Sequence, residues 1–318
     1  MDDPTRWAVP ASFLELDHEP ARAGWLADLS RLAAEQAARW QVRPHGPPMH
    51  GWTSVLWPVL DPADHHLIMK LGAPEPSVRA EGAALVAWRA RAEQYPASRR
   101  TAMIQPVQHD PDNGALLLPR LDPGRTLEDW PDLDQAVEII AEVLAGIGGT
   151  PAPEGIPRML DQVIEMREGI VATGTAAGHL DRTRVERALD TLAQLAGELS
   201  RPDAEPVLLH NDCHFLNVLH TLPGEPAAWV GIDPWPAAGL REWEVTPLLR
   251  NRWAEAAATG NPDAALRRRV DQVAEIAGMN AEVVRACAQA VAIQNLGWLL
   301  SHRRDHMFVP PYSVMSWW

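Results

Sequence analysis

The chain has 318 residues, of which 46% are hydrophobic and 22% charged, so it has the composition of a globular protein and the length for two lobes. Its net charge of −14 argues against binding to nucleic-acid phosphates and permits attraction of a cationic small molecule. No apolar run reaches the length of a membrane span, and the first ten residues lack the pattern of a secretory signal. Two cysteines are too few for a disulfide framework. We therefore expect a cytoplasmic protein without nucleic-acid or membrane partners.

The first 120 residues predict an antiparallel sheet with helices. Apolar residues recur at helical spacing over residues 22–41. Two alternating stretches, "WTSVLWPVL" and "HHLIMKLG", flank the turn "DPAD" and predict a hairpin. The stretch "SVRAEGAALVAWRARAEQ" predicts a helix that Ser77 caps. An Asn-Gly turn in "PDNG" then predicts a second hairpin, completed by "ALLLPRL".

Helical patterns dominate the rest of the chain. The predicted helices cover residues 133–147, 158–172, 183–200, about 244–257, 264–278 and 281–303, and short strand-like stretches interrupt them at "VLLH" and "AWVGID". The sequence therefore predicts an α+β protein of two lobes. The N-terminal lobe, residues 1–121, contains the small antiparallel sheet. The C-terminal lobe, residues 122–318, is larger and mainly helical, and the chain crosses between the lobes at about Leu121–Gly124.

A single lysine marks the N-terminal lobe. Lys70 is the only lysine of the chain and ends an apolar strand, where a lysine either reaches the surface or meets an anion. Glu81 follows eleven residues later, in the first turns of the next helix. A strand followed by a packed helix can bring the two together, and such a pair holds nucleotide phosphates in kinases. An edge lysine with a solvated glutamate is the alternative.

The stretch "HGWTSVLWPV" precedes the strand of Lys70 and is a candidate phosphate loop. It contains one glycine, Gly51, followed by Thr53 and Ser54, whose hydroxyl or backbone N–H groups can donate to phosphate oxygens. The spacing lacks the glycine pattern of known nucleotide loops. A polar start of a hairpin explains the same residues.

Polar residues crowd the stretch "VLLHNDCHFLNVLH" between two strand-like ends. Asp212 and Asn217 have the D-x-x-x-x-N spacing of kinase catalytic loops, in which the aspartate accepts the proton of the attacking hydroxyl and the asparagine reaches a metal ion. Two alternatives are a zinc site and a nucleophilic Cys213 with a histidine base. The zinc alternative uses His210, Cys213, His214 and His220, but their spacing lacks the paired form of structural zinc sites. We interpret His210 as a support of the loop.

A second candidate ligand for the metal ion lies in the following strand-like stretch. The stretches "NVLH" and "AWVGID" flank the turn-rich "TLPGEPA" and predict a hairpin. Asn217 and Asp233 each lie eight residues from Glu225, so an antiparallel pairing centred there places them opposite each other, beside Asp212. Carboxylate and amide oxygens are ligands that Mg²⁺ accepts.

These motifs together resemble the aminoglycoside phosphotransferases, which share the protein-kinase-like fold. The branch that the chain is most similar to contains the streptomycin 6-phosphotransferases and hydroxyurea phosphotransferases. The resemblance covers about residues 40–255 and rests on "HGWTSVLWPV", "ALLLPRLDPGRTLEDW", "LLHNDCHFLNVL", "WVGIDPWPAAG" and "PLLRNRW". It implies transfer of phosphate from ATP or GTP, with Mg²⁺, to a hydroxyl of a small-molecule antibiotic.

The resemblance also implies a role for each matching position. Asp212 would be the catalytic base, and Asn217 with Asp233 would hold Mg²⁺. Lys70 with Glu81 would hold the α- and β-phosphates, and backbone groups of Pro119 and Leu121 at the hinge would meet the base. The chain departs from the family pattern where Asn211 replaces a glycine and Leu240 an aspartate, which affects the bracing of the loop.

The acceptor is the least defined part of the prediction. Arginines and acids are equally numerous after residue 241, and the C-terminal end brings aromatic residues. The candidate acceptor residues are Trp235, Glu242, Trp243, Trp298 and Trp318. The alternatives to an aminoglycoside are a nucleoside-type antibiotic and a cellular metabolite such as choline or a sugar. We expect a monomer or a dimer.

Overall fold

The computed structural model describes residues 7–16, 18–93, 103–174 and 180–318. The helices are α1 (Ala11–Leu14), α2 (Ala23–Trp40), α3 (Pro76–Ala92), α4 (Leu133–Ile147), α5 (Met159–Gly174), α6 (Arg182–Leu199), α7 (Thr246–Arg250), α8 (Trp253–Ala258), α9 (Pro262–Ala277), α10 (Ala281–His302) and α11 (Val309–Met315). The strands are β1 (Arg43–Pro44), β2 (Met49–His50), β3 (Ser54–Leu60), β4 (His66–Gly72), β5 (Gln108–Asp110), β6 (Ala115–Pro119), β7 (Leu121–Thr126), β8 (Val207–Leu209), β9 (Val218–Thr221), β10 (Trp229–Gly231) and β11 (Ala237–Gly239). Both predicted hairpins of the N-terminal sheet are present, and the α+β class is confirmed.

The N-terminal sheet is antiparallel, with the order β1-β3-β4-β6-β5 and β2 paired to β3. Strand β4 lies in its middle, and Lys70 is opposite Leu56 on one side and Leu116 on the other. Side chains alternate along a strand, so Met69 packs into the core below α2, whereas Ile68 lies on the opposite face, toward α3. Lys70 shares the face of Ile68 and therefore points away from the core below α2.

Helix α3 carries Glu81 against this face of the sheet. It begins earlier than predicted, because Pro76 occupies its first turn and Glu75 its N-cap position, with no side-chain cap. Ser77 lies inside the helix, so the predicted Ser77 cap is wrong. A proline in the first turn is favourable since the N–H it lacks has no partner there. Glu81 and Trp88 are buried on the side of the helix that meets the rest of the protein.

The chain leaves the N-terminal sheet after Arg120, whose N–H donates to the carbonyl of His66. Leu121 already pairs with Thr221 in a second sheet, ordered β10-β9-β7. Helix α4 packs on α9, and α10 packs on α5, α6 and α11. By length and composition α10 could cross a membrane, but 56% of the relevant window is buried inside the protein, as in a core helix.

The predicted helix over residues 244–257 is wrong. The structure has a short 3-10 helix (Arg241–Val245), then α7, then α8. Arg252 separates the last two with a positive φ of 49°, a conformation that no helix interior contains. Its guanidinium donates to the carbonyl oxygens of Leu127 and Trp130. These contacts with a distant segment stabilise the interruption between α7 and α8. Periodicity of neighbouring residues therefore could not predict it.

Candidate active site

A cavity of about 260 Å³ lies between the N-terminal sheet, strand β7 and the hairpin β9-β10. Its lining includes most of the residues predicted to bind nucleotide: Gly51, Ser54, Lys70, Glu81, Pro119 and Leu121. Asp233 also lines it. Thr53 does not, and its carbonyl instead accepts from the N–H of Ala73. The remaining wall is largely aliphatic, which suits a flat base at the hinge. The charged residues lie together at the far end of the cavity.

Lys70 joins two carboxylates at the charged end of this cavity. Its Nζ lies 2.6 Å from Oε2 of Glu81 and 2.5 Å from Oδ1 of Asp233. The side chains of Lys70 and Glu81 are only 7% and 5% exposed, whereas that of Asp233 is 56% exposed. The predicted Lys70–Glu81 pair is therefore present, and the alternative of an edge lysine with a solvated glutamate is wrong.

Burial and charge act against each other in this group. Burial disfavours the Lys70 ammonium, but Asp233 and Glu81 outweigh it and hold the Lys70 pKa above its ordinary value. Burial raises the pKa of Glu81 to about 7 despite the neighbouring ammonium. Asp233 responds in the opposite sense, because the charge of Lys70 lowers its pKa. Lys70 is thus a fixed cation, and Asp233 a fixed anion that faces solvent.

The hairpin β9-β10 forms as predicted, but its register differs by one residue. Trp229 pairs with His220 and Gly231 with Val218, so Asn217 is opposite Ile232, and the N–H of Ile232 donates to the carbonyl of Asn217 at 2.9 Å. The predicted pairing of Asn217 with Asp233 is therefore wrong. Asp233 is the next residue and has a positive φ of 54°, so the chain turns sharply out of the strand there.

Asp212 lies on the loop after β8, and its side chain is 34% exposed. Asn217 lies on the 3-10 turn (Phe215–Asn217) that closes this loop, and its Nδ2 donates to the Asp212 carbonyl at 2.9 Å. The same nitrogen lies 3.4 Å from Oδ2 of Asp212. The D-x-x-x-x-N spacing therefore corresponds to a direct contact between the two residues.

His210 ties the loop of Asp212 to the strand of Asp233. Its Nε2 lies 3.0 Å from the carbonyl of Ile232, and its Nδ1 lies 3.4 Å from the backbone N of Asp212. Burial lowers its pKa to about 4, so the ring is neutral, with Nε2–H as donor and Nδ1 as acceptor. The ring stacks on Trp88 of α3 at a centroid distance of 6.3 Å. His210 is the support of the loop that the sequence predicts.

Glu244 anchors the same loop from below, and the sequence prediction missed this role. Its Oε2 accepts the backbone N–H groups of His210 at 2.9 Å and Asn211 at 3.3 Å. The residue is only 2% exposed, and burial raises its pKa to about 7. A charged residue between Trp243 and Val245 was the available signal. Glu244 supplies the loop bracing that the replacement of an aspartate by Leu240 had put in question.

Asn211 has a positive φ of 60°, in the left-handed region that favours glycine. The family pattern has glycine here, and the backbone conformation explains that preference. Among other residues, asparagine tolerates this region best because its short polar side chain bonds locally. The substitution therefore keeps the turn that presents Asp212.

The zinc and cysteine alternatives fail on geometry. His210 is bonded to backbone groups, and Nδ1 of His220 lies 2.9 Å from the carbonyl of Thr221, the next residue of β9. Cys213 is fully buried, and burial raises its pKa well above the ordinary value, so its thiol is neither exposed nor ionised. The histidines and the cysteine of this stretch are part of the packing of the loop.

Asn217 and Asp233 have the free oxygens that Mg²⁺ would use. Nδ2 of Asn217 donates to Asp212, and Oδ1 of Asn217 accepts no hydrogen bond from the part of the chain that the structure describes. Lys70 contacts Oδ1 of Asp233, which leaves Oδ2. Mg²⁺ takes few protein oxygens and completes its shell with phosphate and water, so this pair fits the ion.

The candidate acceptor residues divide into two sets. Trp235 follows the Asp233 turn, is 39% exposed, and donates its backbone N–H to the carbonyl of His210, at the start of the loop that carries Asp212. Trp298 is 48% exposed and stacks on His302. The other three are engaged in packing: Glu242 accepts from the N–H of Asn280, Trp243 is 5% exposed within a core cluster, and Trp318 donates to Asp263. Trp243 therefore belongs to the core of the lobe, which corrects its assignment as an acceptor residue.

Arg250 was not predicted, yet it contacts Asp212 directly. Its Nη2 lies 2.9 Å from Oδ1 of Asp212. The only sequence signal was an arginine after the apolar "TPLL" at the end of a helix. His214 lies on the other carboxylate oxygen, with Nε2 3.6 Å from Oδ2.

Comparisons with known proteins identify the family and the fold. The model of a family described as aminoglycoside/hydroxyurea antibiotic resistance kinases matches residues 39–301. A streptomycin 6-kinase of Streptomyces glaucescens is 29% identical over 291 residues, 91% of this chain and 89% of that protein. A hydroxyurea phosphotransferase of Kitasatospora aureofaciens is 31% identical over 296 residues, 91% of this chain and 79% of that protein. A solved aminoglycoside phosphotransferase, a thermostable mutant in a ternary complex with ADP and hygromycin B, has a TM-score of 0.52 at 16% identity and covers 89% of this chain and 95% of its own. The predicted protein-kinase-like, two-lobe fold is confirmed.

Proposed function

The chain belongs to the aminoglycoside/hydroxyurea antibiotic resistance kinase family, and we propose that it moves the γ-phosphate of ATP or GTP to a hydroxyl of a small-molecule antibiotic. In this proposal Asp212 is the base, Asn217 and Asp233 hold Mg²⁺, and Lys70 with Glu81 holds the phosphates. The lobe boundary at residue 121 is part of the same proposal, since the hinge at Pro119 and Leu121 would meet the base of the nucleotide.

One observation carries the proposal. The single lysine of the chain contacts both Glu81 and Asp233 at the charged end of a cavity whose other end is the hinge. The three residues come from β4, from α3 and from the end of β10, so three separate elements converge on one ammonium. Phosphoryl transfer depends mainly on positioning and on compensation of charge, which this group can supply.

The chemistry then follows from the placement of Asp212. The acceptor hydroxyl oxygen forms a bond to the γ-phosphorus, and the bond from that phosphorus to the β,γ-bridging oxygen breaks. The hydroxyl proton goes to Asp212, and the nucleoside diphosphate leaves. When bound, Mg²⁺ supplies positive charge to the phosphate oxygens. His210 and Glu244 keep the loop in place while the proton moves, because they hold backbone groups on both sides of Asn211.

A less cationic acceptor is the second candidate. Pockets for aminoglycosides need free carboxylates to meet several ammonium groups. Most acids after residue 241 already have partners: Glu242, Glu244, Glu255, Asp263, Asp271 and Glu282 contact arginines or backbone N–H groups. Arg250 also adds a cation beside Asp212. These contacts favour a nucleoside-type antibiotic, or a cellular metabolite such as choline or a sugar, over a polycationic acceptor.

An acceptor screen tests the function. The protein is incubated with Mg²⁺ and ATP or GTP labelled in the γ-phosphate, together with streptomycin, hydroxyurea, a nucleoside antibiotic, choline or a sugar. We expect label in one class of acceptor and a kcat about 10³-fold lower for Asp212→Ala, the range of a lost general base. Nucleotide affinity should stay unchanged in that variant. Label in none of these acceptors, or an Asp212→Ala variant as active as the wild type, contradicts the proposal.

The metal ligands are tested by binding rather than turnover. Calorimetry measures ADP affinity with and without Mg²⁺ for Asn217→Ala and Asp233→Ala. We expect the wild type to bind ADP more tightly with Mg²⁺, and both variants to lose most of that difference. Asp203→Ala is the matched control, since Asp203 pairs with Arg201 on the surface. An unchanged response to Mg²⁺ in both site variants would reject them as ligands.

A further inference from the structure

Arg250 donates a hydrogen bond to one oxygen of the Asp212 carboxylate and not to the other. Its Nη2 donates to Oδ1 at 2.9 Å, the length of a charge-assisted hydrogen bond. The other oxygen, Oδ2, has longer contacts: Nδ2 of Asn217 donates to it at 3.4 Å, and Nε2 of His214 lies 3.6 Å away. The two oxygens of Asp212 are therefore not equivalent, because Oδ1 accepts the short charge-assisted bond and Oδ2 only the longer one.

Arg250 is itself fixed from several sides. It ends α7, whose remaining residues are buried, and α7 follows the 3-10 helix that carries Glu244. Its guanidinium lies 5.1 Å from the ring centre of Phe308, and Nη1 lies 3.5 Å from the hydroxyl of Tyr312 on α11. The side chain is 26% exposed. An arginine packed against aromatic rings has little freedom to leave the carboxylate.

One donor of Arg250 is buried and has no acceptor. Its Nε finds no hydrogen-bond partner within the described ranges, which include all residues from 180 to 318. Nε of Arg184 and Nε of Arg241 are unpartnered in the same way within these ranges. The contact of Nη2 with Asp212, and not this donor, therefore sets Arg250 apart.

From these contacts we infer that Arg250 is a positioning residue of the transfer reaction, which fixes Oδ1 so that Oδ2 of Asp212 accepts the acceptor proton. The inference rests on the proposed function. As the hydroxyl oxygen bonds to the γ-phosphorus and the bridging bond breaks, the proton of that hydroxyl moves to Oδ2, and Oδ1 keeps its bond to Nη2. The guanidinium exchanges no proton. Its part is to hold the carboxylate plane against the loop, so that Oδ2 faces the acceptor.

The main test compares Arg250→Gln with Arg250→Lys in the acceptor that the wild type labels best. Loss of the orientation should lower kcat by about 100-fold in Arg250→Gln, because small misplacements of reacting groups cost that much. Nucleotide affinity, measured by calorimetry, should stay within about 2-fold, since orientation of the acceptor side leaves ground-state nucleotide binding alone. Arg250→Lys keeps a cation and should retain an intermediate kcat. The matched control is Arg285→Gln, which removes an arginine of α10 paired with Asp271 and Glu282, away from the site.

Two further measurements separate positioning from structure. Guanidinium ions added in millimolar amounts should restore activity to Arg250→Ala but not to Asp212→Ala, because the small cation can occupy the space beside Phe308. The double variant Asp212→Ala/Arg250→Gln should lose no more activity than Asp212→Ala alone, as residues that act as a unit do. A double variant whose losses multiply overturns the inference.

The failures are distinguishable. A wild type that labels no acceptor overturns the proposed function and, with it, this inference. A wild type that labels an acceptor, while Arg250→Gln keeps the wild-type kcat, overturns the inference alone. If Arg250→Gln does not fold, Arg250→Lys decides: an undiminished kcat speaks against the role, and a reduced kcat with unchanged nucleotide affinity supports it.

Discussion

Two charged residues of the site, Lys70 and Asp212, are held in place by different kinds of contact. Lys70 lies on a strand bonded to neighbours on both sides, and its side chain is 7% exposed. Asp212 lies on a loop, its side chain is 34% exposed, and it is placed by Arg250 and by the bonds of Glu244 and His210 to the loop backbone. The lysine depends on the register of a sheet, whereas the aspartate depends on a network of individual polar contacts.

This difference predicts different consequences of mutation. A change at Lys70 acts all at once, because the ammonium of Lys70 and the carboxylate of Glu81 are buried together and lose their mutual charge compensation. A loop held by several separate bonds loses its geometry in steps, and each step affects catalysis before it affects folding. Nucleotide binding should therefore be coupled to stability, and acceptor chemistry should be largely separable from it.

The largest expected effect is at the lysine. Lys70→Met leaves Glu81 buried without a cation, and removal of one partner of a buried pair costs about 3–5 kcal/mol of unfolding free energy. Urea denaturation measures this loss, and nucleotide affinity should fall in the same variant. The double variant Lys70→Met/Glu81→Gln is the control and should regain part of the stability, because no buried charge remains unpaired. Equal stabilities for the wild type and the single variant would contradict the contrast with Asp212.

A smaller effect, dependent on pH, is expected at Glu244. Burial raises its pKa in the folded protein to about 7 from an ordinary value of 4.5, so between these pH values the folded form keeps a proton that the unfolded form has lost. Stability from this group is therefore full below pH 4.5 and falls as the pH rises to 7, by about 3 kcal/mol at about 1.4 kcal/mol per pKa unit.

Glu244→Gln removes this titration and isolates it. We expect the difference in unfolding free energy, wild type minus variant, to fall as the pH rises from 4.5 to 7 at constant ionic strength. The subtraction removes the opposite contribution of His210, whose lowered pKa favours the folded form at higher pH. A difference that rises with pH, or stays flat, shows that Glu244 is ionised in the folded protein throughout this range.

The smallest effect is expected at Asn211. Its positive φ of 60° is costly for residues with a Cβ atom, so Asn211→Ala should lower the unfolding free energy by about 1 kcal/mol. Asn211→Gly is the matched control and should be close to neutral, because glycine takes this conformation freely. Thermal denaturation of both variants measures the difference. If the turn presents Asp212, kcat should fall more in Asn211→Ala than in Asn211→Gly. Equal losses of kcat would show that the conformation of this turn does not affect catalysis.

Local sequence determined most of the elements and the motifs. Strand alternation placed Lys70 in β4, helical periodicity predicted α2, α4, α9 and α10 nearly to their bounds, and the D-x-x-x-x-N spacing marked the loop. These features are short-range, since side-chain periods and loop lengths are properties of neighbouring residues. The hairpin of Asp233 was also predictable, but its register was not, because a turn-rich connection allows more than one pairing.

The charges that meet around Asp212 come from distant parts of the chain and depend on tertiary packing. Arg250 and Glu244 lie thirty-eight and thirty-two residues after it, and no spacing rule links an arginine at the end of α7 to a loop after β8. The break at Arg252 has the same origin, in bonds to carbonyl oxygens more than 120 residues away in sequence. Sequence patterns therefore predict the candidate site residues, while the packing of the C-terminal lobe decides which buried polar groups contact them, because such groups are satisfied by whichever partners folding brings within hydrogen-bond distance.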